Sequence, residues 1–136
     1  MSDTKQKILL IDDDKFLLDM YSTKFTEAGF DVIAVLSAVE ALAKLKEGLE
    51  PSICLIDIIM PGMDGFQLLQ EIKEKGVCNE RTACIILSNL GQQEDVDRGL
   101  SLGADGYIIK ASATPSEVVS KVLDITKTKQ ARHGWL

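Results

Sequence analysis

Three carboxylates in a row, Asp12-Asp13-Asp14, a further one at Asp57, a hydroxyl at Ser88 and an amine at Lys110 are the side chains of this 136-residue chain whose types suit a shared reaction. Each follows a short apolar run. If those runs bring them together, the acids cannot all stay ionised unaided, since two unit charges ~4 Å apart cost roughly 4 kcal/mol at an effective dielectric of about 20. One lysine supplies a single positive charge. A hard divalent ion takes several carboxylate and carbonyl oxygens and leaves positions for phosphate oxygens, so Mg²⁺ is the expected cofactor. The set then suits phosphoryl transfer: a carboxylate nucleophile forms an acyl phosphate, a metal and a lysine neutralise the transferred oxygens, and a hydroxyl donates to one of them.

Taken singly, the same residues have ordinary uses. Asp14, ahead of Lys15-Phe16-Leu17, reads as a helix N-cap. A lysine leaving a strand normally points into water, and a serine there commonly shapes a turn. What points to a site is the recurrence of suitable chemistry at four strand ends.

The elements that would position these groups are legible as alternation. Ile8–Ile11, Val32–Val35, Ile53–Ile56, Ala83–Leu87 and Tyr107–Ile109 are short apolar runs that read as strands buried on both faces. Between them, helical spacing appears at Leu18, Tyr21, Phe25 and Ala28, at Ala38, Ala41, Leu42 and Leu45, at Phe66, Leu69 and Ile72, and at Val96 and Leu100. A fifth helix is signalled by Thr114-Pro-Ser-Glu117 ahead of Val118, Val119, Val122 and Leu123: a capping hydroxyl, proline at the first helical position and a glutamate three residues after the cap. Such alternation implies parallel pairing and right-handed crossovers, hence an α/β, doubly wound (βα)5 three-layer sandwich around a five-stranded parallel sheet. The flavodoxin-like order 2-1-3-4-5 would open a crevice at the carboxyl ends of strands one and three, where Asp12, Asp13 and Asp57 fall.

Size and composition narrow the classes further. A chain of 136 residues with 46% hydrophobic and 26% charged residues suits one globular domain. Its net charge of −6 disfavours direct contact with nucleic acid or an anionic membrane. Cys54, Cys78 and Cys84 make neither a disulfide framework nor a zinc-ligand spacing, which fits a reducing cytoplasm. Met1–Lys7 is polar, and no apolar run approaches the ~18 residues of a membrane span. The residues after Thr126, with Lys127, Lys129, Arg132 and no acid, are expected to fray, though they could instead dock a partner.

At this point the chain resembles a known family. Leu55-Ile-Asp-Ile-Ile-Met-Pro-Gly-Met-Asp-Gly65, the acidic pair Asp12-Asp13, Ser88, Lys110, and Gly103-Ala-Asp-Gly106 leading into strand five are similar to the response regulator receiver domain, the CheY-like module of two-component signalling. The resemblance runs from about Lys7 to Lys127, giving a receiver domain over 1–127 and a mobile tail over 128–136. It implies that Asp57 is the phosphorylated residue. It further implies Mg²⁺ held by Asp13, Asp57 and the backbone carbonyl of Ile59, with Asp12 beside them. Lys110 and Ser88 would contact the phosphoryl group, and Tyr107 would report the switch. The chain departs from the family pattern at Asn89, where a small residue is usual, and at Ala111, where proline is common. A cis bond before a non-proline residue costs roughly 2.5–4 kcal/mol, so the Lys110–Ala111 bond is expected to be trans, with the loop to Thr114 rerouted.

The reading that results is a cytoplasmic signalling switch rather than an enzyme. Asp57 would take its phosphoryl group from a histidine kinase or phosphotransfer protein, and output would pass to another protein through helix four, strand five and helix five. Helix four, with few apolar anchors and an internal Gly99, suits a movable element. The resemblance also puts Ile59 and Leu90 along the approach of a hydrolytic water, which implies a long-lived acyl phosphate. Two rivals remain open. A haloacid-dehalogenase-like phosphatase would place its nucleophile at Asp12 with Asp14 two residues on, and a flavin or nucleotide binder would want a phosphate loop after strand one.

Overall fold

The computed structural model describes residues 5–135; the polar start, Met1–Thr4, and Leu136 lie outside it. Strands β1 (Lys7–Ile11), β2 (Asp31–Val35), β3 (Ile53–Ile56), β4 (Ala83–Ser88) and β5 (Gly106–Ile109) alternate with helices α1 (Lys15–Glu27), α2 (Ala38–Lys46), α3 (Gly65–Lys75), α4 (Gln93–Ser101) and α5 (Pro115–Arg132). All pairings are parallel, in the order β2-β1-β3-β4-β5. The sandwich inferred from alternation is the one observed.

Period-2 alternation divides each central strand between two cores. Leu9, Ile11, Cys54, Ile56, Cys84 and Ile86 face α2 and α3, while Ile8, Leu10, Ile53, Leu55, Ile85 and Leu87 face α1 and α5. At ~1.5–3 kcal/mol for each fully buried aliphatic side chain, these two layers are the main attractive term holding the sheet. Burial on both faces holds for β1, β3 and β4 but fails for β2, where Asp31 and Ala34 are exposed, and for β5, where Ile108 alone is fully buried. Both are edge strands, with a neighbour on one side only.

Helix starts follow local chemistry. The side chains of Asp14, Ser37, Asp64 and Thr114 accept from backbone N–H groups three residues on, and Asp64 and Thr114 complete capping boxes with Gln67 and Glu117. Helix α4 lacks a side-chain cap. Its expected inward residues correct in part, because Val96 is half-buried while Leu100 is 47% exposed. The helix presses its backbone to the sheet instead: a Cβ on Gly99 would stand 2.5 Å from Ile86 Cδ1 and 3.1 Å from Tyr107 Cδ2.

The end of the chain also differs from expectation. Helix α5 runs to Arg132, past the limit placed near Lys127, and Lys129 is buried. Its ammonium donates to the Thr82 carbonyl and to Asp105 Oδ2, both at 2.9 Å. A basic residue that reads as solvated is therefore an anchor. Beyond the helix, Trp135 stacks on His133 and lies under the Arg81 guanidinium. Among the described residues no peptide bond is cis, and Lys110–Ser112 forms a single 3-10 turn between β5 and α5.

Candidate functional site

The carboxyl ends of β1, β3, β4 and β5 meet at one edge of the sheet, and Asp12, Asp13, Asp57, Ile59, Ser88 and Lys110 line a cleft there of about 200 Å³. Two short-range interactions fix its frame. Asp12 N–H donates to Val35 O at 3.2 Å and Asp57 N–H to Ile11 O at 3.0 Å, so each aspartate is locked to a neighbouring strand as its own strand ends. Glycine at position 65 lets α3 begin against that end: a Cβ there would collide with the Asp57 carbonyl and Ile58 Cα.

Charge defines the centre. Lys110 Nζ donates to Asp12 Oδ2 at 2.7 Å and lies 3.5 Å from Asp57 Oδ2, with Asp12 and Asp57 only 4% and 7% exposed. The remaining oxygens are engaged locally, Asp12 Oδ1 accepting from Asp14 N–H and Asp57 Oδ1 from Ile58 N–H. Burial is the chief cause that lifts the Asp57 carboxyl to about 6; the Asp12 charge adds to the rise, and Lys110 and the Ile58 N–H oppose it. Burial also works against the Lys110 ammonium, yet the Asp12 hydrogen bond and the Asp57 charge outweigh it and leave that group raised. One ammonium thus faces two buried carboxylates, with the exposed Asp13 as a third.

Oxygens of Asp12, Asp13 and Asp57 lie within 4.8 Å of one another, a spacing and a donor chemistry that fit one hard divalent cation. Ile59, 61% exposed, borders the same cleft. Asp14 also borders the cleft, but its side chain caps α1 by accepting from Leu17 N–H at 3.1 Å.

Tyr107 stands outside the cleft but is joined to it. Its hydroxyl donates to the Leu90 carbonyl, and the Leu90 N–H donates to Ser88 Oγ at 3.2 Å. Ser88, 1% exposed, uses an acceptor lone pair in that bond. Leu90 packs on the α2/α3 core rather than lining the cleft, so the aliphatic side chains at the cleft are Ile59 and, from α1, Leu17. Two participants were not visible as such in the sequence. Leu90 acts through its backbone, which carries no residue-type signal. Tyr21 reads as an apolar helix position, yet its buried hydroxyl is raised first by desolvation and feels the charges of Lys110, Asp12 and Asp57.

The family model for the response regulator receiver domain matches residues 8–123. The chain belongs to that family. It is a receiver domain of a two-component response regulator, a signalling domain. Among curated proteins this receiver is 30% identical over 93% of its length to a probable transcriptional regulator ycf27 of Pyropia yezoensis. It is 35% identical over 86% of its length to the regulatory protein VanRc of Enterococcus gallinarum. The receiver spans about half the length of these relatives, 50% and 48% respectively. Solved structures agree over nearly the whole fold. A CheY-like receiver domain protein from Methanospirillum hungatei JF-1 superposes with a TM-score of 0.83 at 26% identity, covering 95% of this chain and 99% of that one. The Francisella response regulator 1452 receiver domain gives 0.79 at 32% identity, covering 90% and 98%. Among the described residues no helix is long and apolar enough to cross a membrane.

Proposed function

We propose that this receiver accepts a phosphoryl group on Asp57 from the phosphohistidine of a cytoplasmic kinase or phosphotransfer protein, and that the modified domain signals by binding another protein. The observation that supports this reading most is the placement of Lys110 Nζ beside Asp57 Oδ2 in a cleft that also gathers Asp12, Asp13 and Ser88. Asp57 is ionised at neutral pH, yet burial has stripped much of its hydration, which favours nucleophilic attack. Its carboxylate oxygen bonds to phosphorus as the P–N bond of the donor breaks, and the departing imidazole takes up a proton.

Asp12, Asp13, Asp57 and the Ile59 carbonyl would hold Mg²⁺, which supplies Lewis-acid neutralisation of the phosphoryl oxygens when bound. Lys110 offers the second positive group. Its short pair with Asp12 orients the amine toward the position the phosphoryl group takes. Ser88 Oγ accepts from Leu90 N–H, which leaves its own proton to donate to a phosphoryl oxygen. Movement of Ser88 toward that oxygen pulls on the Ser88–Leu90–Tyr107 chain of hydrogen bonds, carrying the event to α4 and β5.

The phosphatase alternative needs Asp14 free as a proton donor beside Asp12, and its commitment to the α1 cap weighs against that. Three aspartates after β1 likewise disfavour a flavin phosphate. The acidic character that argues against nucleic acid concerns these 136 residues, whereas the curated relatives named as transcriptional regulators are about twice as long. Incubation with a small-molecule phosphodonor and Mg²⁺, read by intact mass, tests the proposal. One base-labile phosphoryl group on the wild type and none on Asp57→Asn is expected; equal labelling of the variant would sink it.

A further inference from the structure

Helix α4 is held by two unlike contacts. Where it meets the sheet, Gly99 leaves no cushion: a Cβ there would stand 2.5 Å from Ile86 Cδ1, and 3.1 and 3.3 Å from Tyr107 Cδ2 and Cε2. A displacement of the Tyr107 ring is therefore felt by the helix backbone itself. Toward α3, a side chain makes the contact instead. The Arg98 guanidinium lies over the Phe66 ring, 4.4 Å from its centroid. That is well inside the ~6 Å over which an aromatic face attracts a cation. None of the ion pairs among the described residues engages Arg98, so the ring is the contact its charge makes.

Phe66 belongs to a part of the molecule with little room to give. It is 3% exposed in the α2/α3 core. Its neighbour Gly65 donates its N–H to Ile58 O at 2.9 Å and stands too close to the Asp57 carbonyl to admit a Cβ. The Asp64–Gln67 capping box closes the same turn. Tyr107, by contrast, is half-buried on an edge strand, and its hydroxyl ends the chain of hydrogen bonds that starts at Ser88. Helix α4 itself has no side-chain cap, and Gly99 is its one buried residue. A weakly anchored helix thus has a movable contact at Tyr107 and a fixed one at Phe66.

Building on the reading of Asp57 as phosphoryl acceptor, we propose that the Arg98–Phe66 contact is a latch: it holds α4 in the position of the unmodified domain, and occupation of the acceptor site releases it by way of Tyr107. Arg98 then sets how readily the site and α4 change together, although it does not line the cleft. Linkage is reciprocal: if occupation disfavours the latch, loss of the latch favours occupation.

Two measurements on the intact chain test the latch. Hydrogen exchange read by mass spectrometry compares the wild type with Arg98→Gln, a change that keeps helix propensity. The amides of α4 should exchange about two- to five-fold faster in the variant, the factor that loss of one exposed cation–π contact implies, while those of β1 stay as they were. Calorimetric titration with beryllofluoride in Mg²⁺, a stable mimic of a phosphoryl group on a carboxylate, should show the variant binding about two-fold or more tightly than the wild type. Arg98→Lys, which keeps a cation, should lie between the two. In a Phe66→Leu background the change at Arg98 should have no further effect. Unchanged α4 exchange, equal or weaker binding by Arg98→Gln, or an undiminished effect without the ring would each overturn the latch. Binding by neither protein would remove the acceptor reading itself, and the latch with it.

Discussion

Each end of the sheet buries one lysine from late in the chain against an aspartate. At the amino-terminal edge Lys129 meets Asp105 at 2.9 Å, and the account there is balanced: the ammonium also donates to the Thr82 carbonyl, and Asp105 Oδ2 also accepts from Cys84 N–H. At the carboxyl-terminal edge Lys110 meets Asp12 at 2.7 Å, but Asp57 and Asp13 crowd the same point, and among the described residues Lys110 is the one basic side chain paired with them. One ion pair is closed and ties α5 to the sheet. The other is short of positive charge, and there burial first, with the Asp12 charge adding to it, lifts the Asp57 carboxyl to about 6. Buried lysine–aspartate pairs look alike by distance; the surplus of carboxylate separates a fastening from a site.

Removing a partner should expose that difference. Lys129→Met leaves Asp105 partly buried without its cation, and the loss should be about 2–4 kcal/mol in urea unfolding, with Asp57 phosphorylation still occurring in the folded fraction. A loss under about 0.5 kcal/mol would mean that the terminal turn of α5 does not anchor the fold.

Asp57→Asn should act in the opposite direction and gain about 1–3 kcal/mol in metal-free buffer at pH 7.5. The sign follows from the folded carboxyl lying near 6, above its unfolded value of 3.8. The folded state then binds the proton more tightly, so wild-type stability falls as pH rises from about 4 to about 6, and Asp57 is fully destabilising above that window. The variant should lack that fall. Unfolding midpoints taken across the window check it, and parallel profiles for both proteins would mean that the Asp57 carboxyl is not lifted.

Mg²⁺ should make good the same deficit. At about ten times its dissociation constant a ligand of the native state adds roughly 1.4 kcal/mol, so the melting temperature should rise with millimolar Mg²⁺. Asp13→Ala should lose most of that rise, while Lys129→Met should keep it. The smallest effect expected is kinetic. Ile59→Asn places a hydrogen-bonding group at the cleft mouth, where it can orient a water, and should speed loss of the phosphoryl group by a few-fold; an unchanged or slower rate would count against an aliphatic barrier at Ile59.

Much of this contrast was legible in the residues. Strand ends, helix caps at Asp14 and Thr114, and the convergence of Asp12, Asp57, Ser88 and Lys110 follow from alternation and the geometry of parallel strands. The closed pair at the other edge was not. Lys129 reads as one charge of a basic end because its partners, Asp105 and a backbone carbonyl, are distant in sequence and have no pattern of their own. For the same reason the burial of β2 and β5 was overestimated, since edge position depends on strand order rather than on composition. Leu90 reads as a wall of the cleft, and its part through backbone groups could emerge only with the fold.

The central claim is that the unbalanced edge is a phosphoryl-acceptor site built on Asp57. The most direct measurement is reductive trapping of the acyl phosphate with borohydride after phosphodonor treatment in Mg²⁺, followed by peptide sequencing by mass. Modification at Asp57, absent when Mg²⁺ is chelated, is the predicted result. Modification at Asp12, or none at any aspartate of the folded protein, would contradict it.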